Sequence, residues 1–148
     1  MRNLIEPTFG FGSHLIIDSF GCPNEKLADV AFVHDMLDTF PEKIGMTKVA
    51  EPHVFRSTGG AGEPAGVSGV VLIAESHISI HTFPETGHVF IDIFSCKDFN
   101  AEYATQYLSE AFQSSRHEVT RTSHGVEMMS AQGIEELQPR RERALAIH

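Results

Sequence analysis

The chain has 148 residues, with 20 acidic against 11 basic side chains and a formal net charge of −9. An acidic protein without a basic stripe is not expected to bind nucleic acid. Two cysteines are too few for a disulfide framework, and no apolar run approaches the length of a membrane span. We therefore expect one cytoplasmic domain, residues 1–148, with two free thiols and no membrane partner.

Hydrophobic periodicity predicts alternating strands and helices along the chain. The predicted elements are a strand at 14–20, an amphipathic helix at 24–40, a weaker strand at 47–55, strands at 67–74, 77–83 and 88–94, a helix at 100–114 and a strand at 117–128. Two helices can cover only one face of an antiparallel sheet, so the predicted fold is an α+β two-layer sandwich. The last twenty residues are expected to form a solvated tail with a short helix.

A glycine-rich stretch at residues 59–66 precedes the central strands. A phosphate-binding loop would be followed by a helix N-terminus, whereas here a strand follows, and Glu63 would repel an anion. We therefore predict a surface loop at this position.

The central segment, residues 74–84, reads Ala-Glu-Ser-His-Ile-Ser-Ile-His-Thr-Phe-Pro. Each reactive residue has an ordinary explanation when taken alone, since Ser-His pairs beside strands are common and Cys96 could be a small buried hydrophobe. A metal pair of His77 and His81 is not expected, because four residues of strand span about 13 Å.

Taken together, residues 66–73, 74–84 and 92–96 resemble the self-processing site of the prokaryotic type of S-adenosylmethionine decarboxylase, and residues 12–22 resemble its opening strand. The resemblance implies that the chain cuts itself between Glu75 and Ser76, giving residues 1–75 and 76–148. Ser76 would become a pyruvoyl group, which is the cofactor of this family.

The chemistry of such a site is specific. The Ser76 hydroxyl would attack the preceding carbonyl to form an ester, β-elimination would give dehydroalanine, and hydrolysis would yield the pyruvoyl group; the attack needs a base within hydrogen-bond reach. The ketone, joined to the substrate amine as a Schiff base, supplies the electron sink that decarboxylation requires. The resemblance implies that His81 is the processing base, Ser68 a processing helper and Cys96 the proton donor in turnover.

The resemblance also implies a substrate-binding group, which comprises Phe55, Phe83, Glu85 and Asp18. Asp18 has a second interpretation, as a helix cap or a solvent-facing residue. Two features depart from the family. The stretch before Gly66 is longer and leaves Phe55 as the only nearby aromatic, and Phe83 stands where tryptophan or tyrosine is usual.

Three functional hypotheses remain open at this point. The first is decarboxylation of S-adenosylmethionine for spermidine synthesis, the second is pyruvoyl-dependent decarboxylation of arginine or ornithine, and the third is a non-enzymatic binding protein on the same fold. The persistence of Ser68, Ser76, His81 and Cys96 disfavours the third, since a binding role needs none of them.

Strand geometry predicts a homodimer. Residues five apart on a strand face opposite sides of the sheet and stand roughly 16 Å apart, so Ser76 and His81 of one chain should not meet. A two-fold dimer would let His81 and Ser68 of one protomer serve Ser76 and Cys96 of its partner. The resemblance agrees, because the family builds its sites where two such units meet.

Overall fold

The computed structural model describes residues 12–124. The elements are β1 (Gly12–Phe20), α1 (Asn24–Leu27), α2 (Val30–Lys43), β2 (His53–Ser57), β3 (Gly66–Ile73), β4 (Ser76–Phe83), β5 (His88–Ser95), α3 (Ala101–Ala111) and β6 (Arg116–His124). The six strands form one sheet in the order β2-β3-β4-β5-β1-β6, and every neighbouring pair is antiparallel. The predicted C-terminal tail and the end of the predicted strand 117–128 lie outside the described residues.

The core lies between the sheet and the helices. Alternate residues of the strands are buried, as in the series Ile78, Ile80 and Thr82 of β4, while the residues between them are more exposed. The buried strand residues join one cluster with helix residues such as Phe40 and Leu108. Within residues 12–124 the helices therefore cover one face of the sheet and leave the other open, which confirms the predicted antiparallel sheet with helices on one face.

The predicted helix at 24–40 is wrong as a single element. The chain turns after Leu27, and a new helix starts at Val30 because the Asp29 side chain accepts a hydrogen bond from the Phe32 N–H at 3.2 Å. The second helix also runs through Pro41 to Lys43, three residues past the predicted end.

The predicted strand at 47–55 is shifted. Lys48 makes only an isolated bridge to Ile73, and the continuous ladder begins at His53. Pro52 has no N–H to donate, and the chain between Lys48 and His53 is longer than the opposing part of β3, so it bulges out of the ladder.

The other predicted elements agree with the structure to within a few residues. The glycine-rich stretch is confirmed as a connection between strands and contains a short 3-10 turn at Gly60–Gly62. The Asn100 side chain caps α3 by accepting from the Tyr103 N–H at 2.9 Å. Within residues 12–124 no helix is long and apolar enough to cross a membrane.

Candidate active site

The turn predicted to be cut joins β3 to β4. Ile73 pairs with Ser76 in the ladder, so Ala74 and Glu75 form a two-residue hairpin turn. Ser76 has a φ of 154°, which L side chains rarely adopt, and such a backbone costs about 1–3 kcal/mol. The strain lies at the residue whose preceding peptide bond is predicted to break.

The end of β5 contacts the carbonyl of that peptide. The Cys96 N–H donates a hydrogen bond to the Glu75 carbonyl oxygen at 2.8 Å. A fixed backbone donor at this point stabilises the negative charge that develops on the oxygen when a nucleophile attacks the carbonyl carbon. If the peptide is cut as predicted, the Cys96 N–H would supply one donor of an oxyanion site.

The segment after α2 braces the same turn. The Glu75 carboxylate accepts from the Thr47 N–H at 3.2 Å, and the Ala74 N–H donates to the Thr47 carbonyl at 2.8 Å. The neighbouring Lys48 ammonium pairs with the Asp38 carboxylate of α2, and this hydrogen bond lowers the pKa of Asp38 and raises the pKa of Lys48. These contacts limit the movement of the Glu75–Ser76 peptide.

Ser68 and His81, the two predicted processing residues, are brought together. They pair directly across β3 and β4, and Ser68 Oγ lies 2.8 Å from His81 Nδ1, within hydrogen-bond distance. The imidazole is on the open face of the sheet and exposed to solvent. This arrangement suits a base held in one orientation by a hydroxyl.

Ser76 and His81 of the same chain are not brought together. Ser76 has the strand parity of the buried Ile78, whereas His81 lies on the open face. Five residues of strand span roughly 16 Å, and no hydrogen bond joins the two side chains within the described part of the chain. Within one protomer the predicted processing base therefore lies far from the serine at the predicted cut.

The two thiols lie in different environments. Cys96 follows the end of β5 and is exposed, while Cys22 is buried. Burial raises the pKa of the Cys22 thiol to about 11, because desolvation disfavours the thiolate. Of the two thiols, only that of Cys96 is therefore exposed at the surface.

Two of the four predicted substrate-binding residues share a row with the processing pair. Phe55, Ser68, His81, Phe90 and Asp18 are consecutive cross-strand neighbours on the open face, from β2 to β1. Asp18 therefore lies within a strand and does not cap a helix. Phe55 is 67% exposed on the edge strand.

The other two predicted substrate-binding residues lie at the far end of the β4–β5 hairpin. Phe83 ends β4 and packs against Phe90 with ring centroids 5.1 Å apart. Glu85 is exposed in the turn that follows. The hairpin thus separates Phe83 and Glu85 from the Ser76 turn, which lies at the opposite end of β4.

Sequence reasoning missed a ring-rich patch beside the Ser76 turn. Phe94 contacts His14 and His77, with centroid distances of 5.8 and 5.6 Å. His14 Nε2 lies 3.6 Å from a carboxylate oxygen of Asp92. The alternation of β5, which puts Phe90, Asp92 and Phe94 on one face, is the sequence signal that could have predicted this patch.

In the described part of the chain, neither a metal site nor the groove beside α3 involves the predicted site residues. Within residues 12–124 no group of three histidine, cysteine or acidic side chains could hold a metal ion. A groove of about 560 Å³ lies between α3 and β6, and its lining contains none of the predicted site residues.

Comparisons with known proteins identify the family. The model of the S-adenosylmethionine decarboxylase family matches residues 13–125. The S-adenosylmethionine decarboxylase proenzyme of Synechococcus sp. (strain WH7803) is 39% identical over 108 residues, which are 72% of this chain and 79% of the relative. The proenzyme of Pyrococcus furiosus is 33% identical over 117 residues, which are 78% of this chain and 80% of the relative.

A solved structure agrees with these matches. The crystal structure of the adenosylmethionine decarboxylase from Aquifex aeolicus superposes with a TM-score of 0.68 at 30% identity, over 78% of this chain and 92% of that chain. The segment matched by the family model, residues 13–125, contains the Ser76 turn, the Ser68–His81 pair and Cys96. The chain belongs to the S-adenosylmethionine decarboxylase family.

Proposed function

We propose that this protein is a self-cleaving decarboxylase that converts Ser76 into a pyruvoyl group and then decarboxylates S-adenosylmethionine. The observation that carries the proposal is the Glu75–Ser76 peptide, whose carbonyl accepts a hydrogen bond from the Cys96 N–H and whose serine has a strained φ. A strained peptide with a polarised carbonyl, next to its own nucleophile, is prepared for acyl transfer.

Cleavage begins when Ser76 Oγ attacks the Glu75 carbonyl carbon, so that an ester bond forms and the peptide C–N bond breaks. Loss of the Ser76 α-proton then breaks the Cβ–O bond and leaves a carboxylate on Glu75 and dehydroalanine at position 76. Water replaces the nitrogen and ammonia leaves. His81, hydrogen-bonded to Ser68 at 2.8 Å, accepts protons in these steps.

In turnover the ketone at position 76 supplies the electron sink for the carbanion that remains when carbon dioxide leaves. Cys96 returns a proton to the substrate α-carbon, and its exposed thiol next to the cut turn supports this role. The residues of the chain fit the group, since the strained serine at the start of β4 lies beside the backbone donor and exposed thiol of Cys96 at the end of β5.

The complete site is proposed to form in a homodimer. The half-site of Ser68 and His81 and the half-site of Ser76 and Cys96 lie apart in one chain, and a two-fold dimer can combine them. The open sheet face supports this arrangement, because Phe90 and Phe55 on that face are 39% and 67% exposed. The dimer would act in the cytoplasm.

Intact-mass spectrometry of the matured protein tests the cleavage. We expect two chains, residues 1–75 and 76–148, the second with a pyruvoyl N-terminus that resists Edman sequencing. Ser76→Ala should remain one chain without activity. A wild-type protein that keeps its single mass of 16.3 kDa with an unmodified Ser76 would refute the proposal.

Parallel incubations test the substrate. Protein that has cut itself is mixed with carboxyl-labelled S-adenosylmethionine, arginine or ornithine, and released carbon dioxide is counted. Release from S-adenosylmethionine alone is the expected result. Release from arginine or ornithine instead would support the pyruvoyl chemistry but refute S-adenosylmethionine as the substrate. No release from any of the three would favour a non-enzymatic binding protein.

A further inference from the structure

Ser95 is a fully buried serine at the end of β5, directly opposite Ser76 in the ladder. Its hydroxyl donates a hydrogen bond to the Lys97 carbonyl at 2.6 Å and accepts one from the Lys97 N–H at 2.9 Å. Both bonds join Ser95 to the residue two positions ahead. A serine that binds its own backbone in this way fixes a local turn.

Cys96 is the residue enclosed by that turn. Its N–H donates to the Glu75 carbonyl oxygen at 2.8 Å. The direction of a backbone N–H follows from the dihedral angles of the residues around it, so the two bonds between Ser95 and Lys97 set the direction of the Cys96 donor. They also set the direction of the Cα–Cβ bond of Cys96.

The turn is anchored at its far side as well. Lys97 Nζ donates to the Gly45 carbonyl at 2.9 Å, and Ser95 Oγ lies 3.6 Å from Met46 Sδ. Gly45 and Met46 belong to the segment that continues into Thr47, the residue that holds the Glu75 carboxylate. The Cys96 turn and the Glu75 turn are thus fixed to the same short segment.

We infer that Ser95 is a positioning residue for self-cleavage: its hydroxyl holds the Cys96 N–H against the carbonyl that Ser76 attacks. The inference rests on the proposed function and adds a residue that the resemblance does not assign. Without the hydroxyl, the Cys96 donor shifts away from the developing oxyanion. A misplacement of about 1 Å in such a site can cost roughly 100-fold in rate.

Ser13 provides a matched control. It is the β1 neighbour of Ser95 in the same row and is 4% exposed. Its Oγ has no hydrogen-bond partner within residues 12–124. Ser13→Ala and Ser95→Ala therefore delete the same atom from neighbouring buried sites, but only Ser95→Ala releases the Cys96 turn.

The first measurement is the rate at which the freshly purified full chain becomes two chains on a denaturing gel. We expect Ser95→Ala to cut roughly 10- to 100-fold more slowly than wild type. Ser95→Thr, which keeps the hydroxyl, and Ser13→Ala should cut at close to the wild-type rate. If Ser95→Ala cuts as fast as wild type, only the role of Ser95 is overturned and the proposed cleavage stands. If the wild type stays whole, both the proposed cleavage and the role of Ser95 are overturned.

The second measurement does not depend on cleavage. In the uncut Ser76→Ala chain, hydrogen exchange of the Cys96 amide is followed by NMR, with the Ile91 amide in the middle of β5 as reference. Adding Ser95→Ala should speed exchange at Cys96 by about tenfold or more and leave Ile91 unchanged. Equal acceleration at both amides would indicate a general loss of stability and would overturn the positioning role.

If Ser95→Ala gives no folded protein, Ser95→Cys takes its place in the cleavage assay. A thiol nearly fills the space of the hydroxyl but is a weak donor and acceptor. Slow cutting by Ser95→Cys supports the role, and cutting at the wild-type rate overturns it.

Discussion

The Ser76 backbone differs from the other strained positions of the described chain. Ala61 and Gln113 also have positive φ, but both are at 54°, in the left-handed helical region that side chains occupy at modest cost. Ser76, at 154°, lies outside that region and within a paired strand. Cutting the preceding peptide bond would release this strain, so the strain would favour the proposed cleavage.

Next to the Ser76 turn, Cys96 contributes two separable groups. The backbone N–H contacts the Glu75 carbonyl, whereas the thiol is free and exposed. We expect Cys96→Ala to cut itself, because it keeps the backbone N–H. It should lose at least about 100-fold in decarboxylation, since a positioned proton donor contributes about 10²–10⁴ in rate. Gel analysis and labelled carbon dioxide release measure the two steps separately.

The same variant should also accumulate alanine in place of the pyruvoyl group, because a carbanion protonated at the wrong carbon transfers its nitrogen to the cofactor. Mass spectrometry of the 76–148 chain detects this product. Decarboxylation at the wild-type rate in Cys96→Ala would rule out the thiol as donor. Alkylation of the folded protein should modify the exposed Cys96 thiol. Cys22 is the internal control, since its pKa of about 11 keeps it protonated and unreactive at pH 8.

At the scale of elements, the β3–β4 hairpin is tied to the helix layer by Thr82. Its buried Oγ1 accepts from the Val67 N–H at 2.9 Å and donates to the Leu27 carbonyl at 2.7 Å. These bonds connect β4 to both β3 and α1. They fix the register of β3 and β4, in which Ser68, next to Val67, pairs with His81, next to Thr82.

Thr82→Val should therefore destabilise the fold while nearly preserving side-chain volume. It leaves two buried backbone groups without a partner, and we expect the free energy of unfolding to fall by about 2–4 kcal/mol. Urea denaturation of the uncut Ser76→Ala chain measures this loss. Thr120→Val on the exposed strand β6 is the control and should change the value by less than about 0.5 kcal/mol; an equal loss in both variants would contradict the assigned role of Thr82.

At the scale of the whole molecule, the open sheet face is the main feature that one chain leaves unexplained. Phenylalanine and histidine side chains of β4 and β5 contact one another there, including Phe83, Phe90 and His88. A contiguous exposed apolar surface often marks an interaction site. In the proposed homodimer this face would contact a second copy of the chain.

Co-expression of Ser76→Ala with His81→Ala tests the shared site. Each mixed dimer holds one site with both residues intact, so random mixing should restore about a quarter of the wild-type sites, although neither variant cuts well alone. Ser68→Ala with His81→Ala is the matched control. These two residues contact each other in one chain, so every site of that mixed dimer carries one defect and no rescue is expected.

Mass spectrometry of the purified mixed dimers, with one protomer tagged, measures the cut fraction. If heterodimers of Ser76→Ala and His81→Ala form but are cut no more than either variant alone, the whole site must lie in one chain. The assignment of Ser76 and His81 to opposite faces of β4 would then be wrong.

Local signals in the sequence sufficed for much of the fold. The alternation of β3, β4 and β5 and the cap at Asn100 predicted strands and a helix that the structure has, because strand period and side-chain capping act within a few residues. The break at Asp29 was missed because the Asp29 side chain starts a new helix inside a continuous helical pattern. The bulge before His53 was missed because Pro52, which has no N–H to donate, interrupts the strand.

By itself the sequence determined the chemistry: the order of Glu75, Ser76, His81 and Cys96 carries the family resemblance, which the family match now supports. Only the tertiary structure decided how these groups meet. The hydrogen bond from the Cys96 N–H to the Glu75 carbonyl joins the end of β5 to the turn before β4, about twenty positions earlier in the chain. Contacts of this kind depend on the register of antiparallel strands, which is set when several strands and their turns pack together.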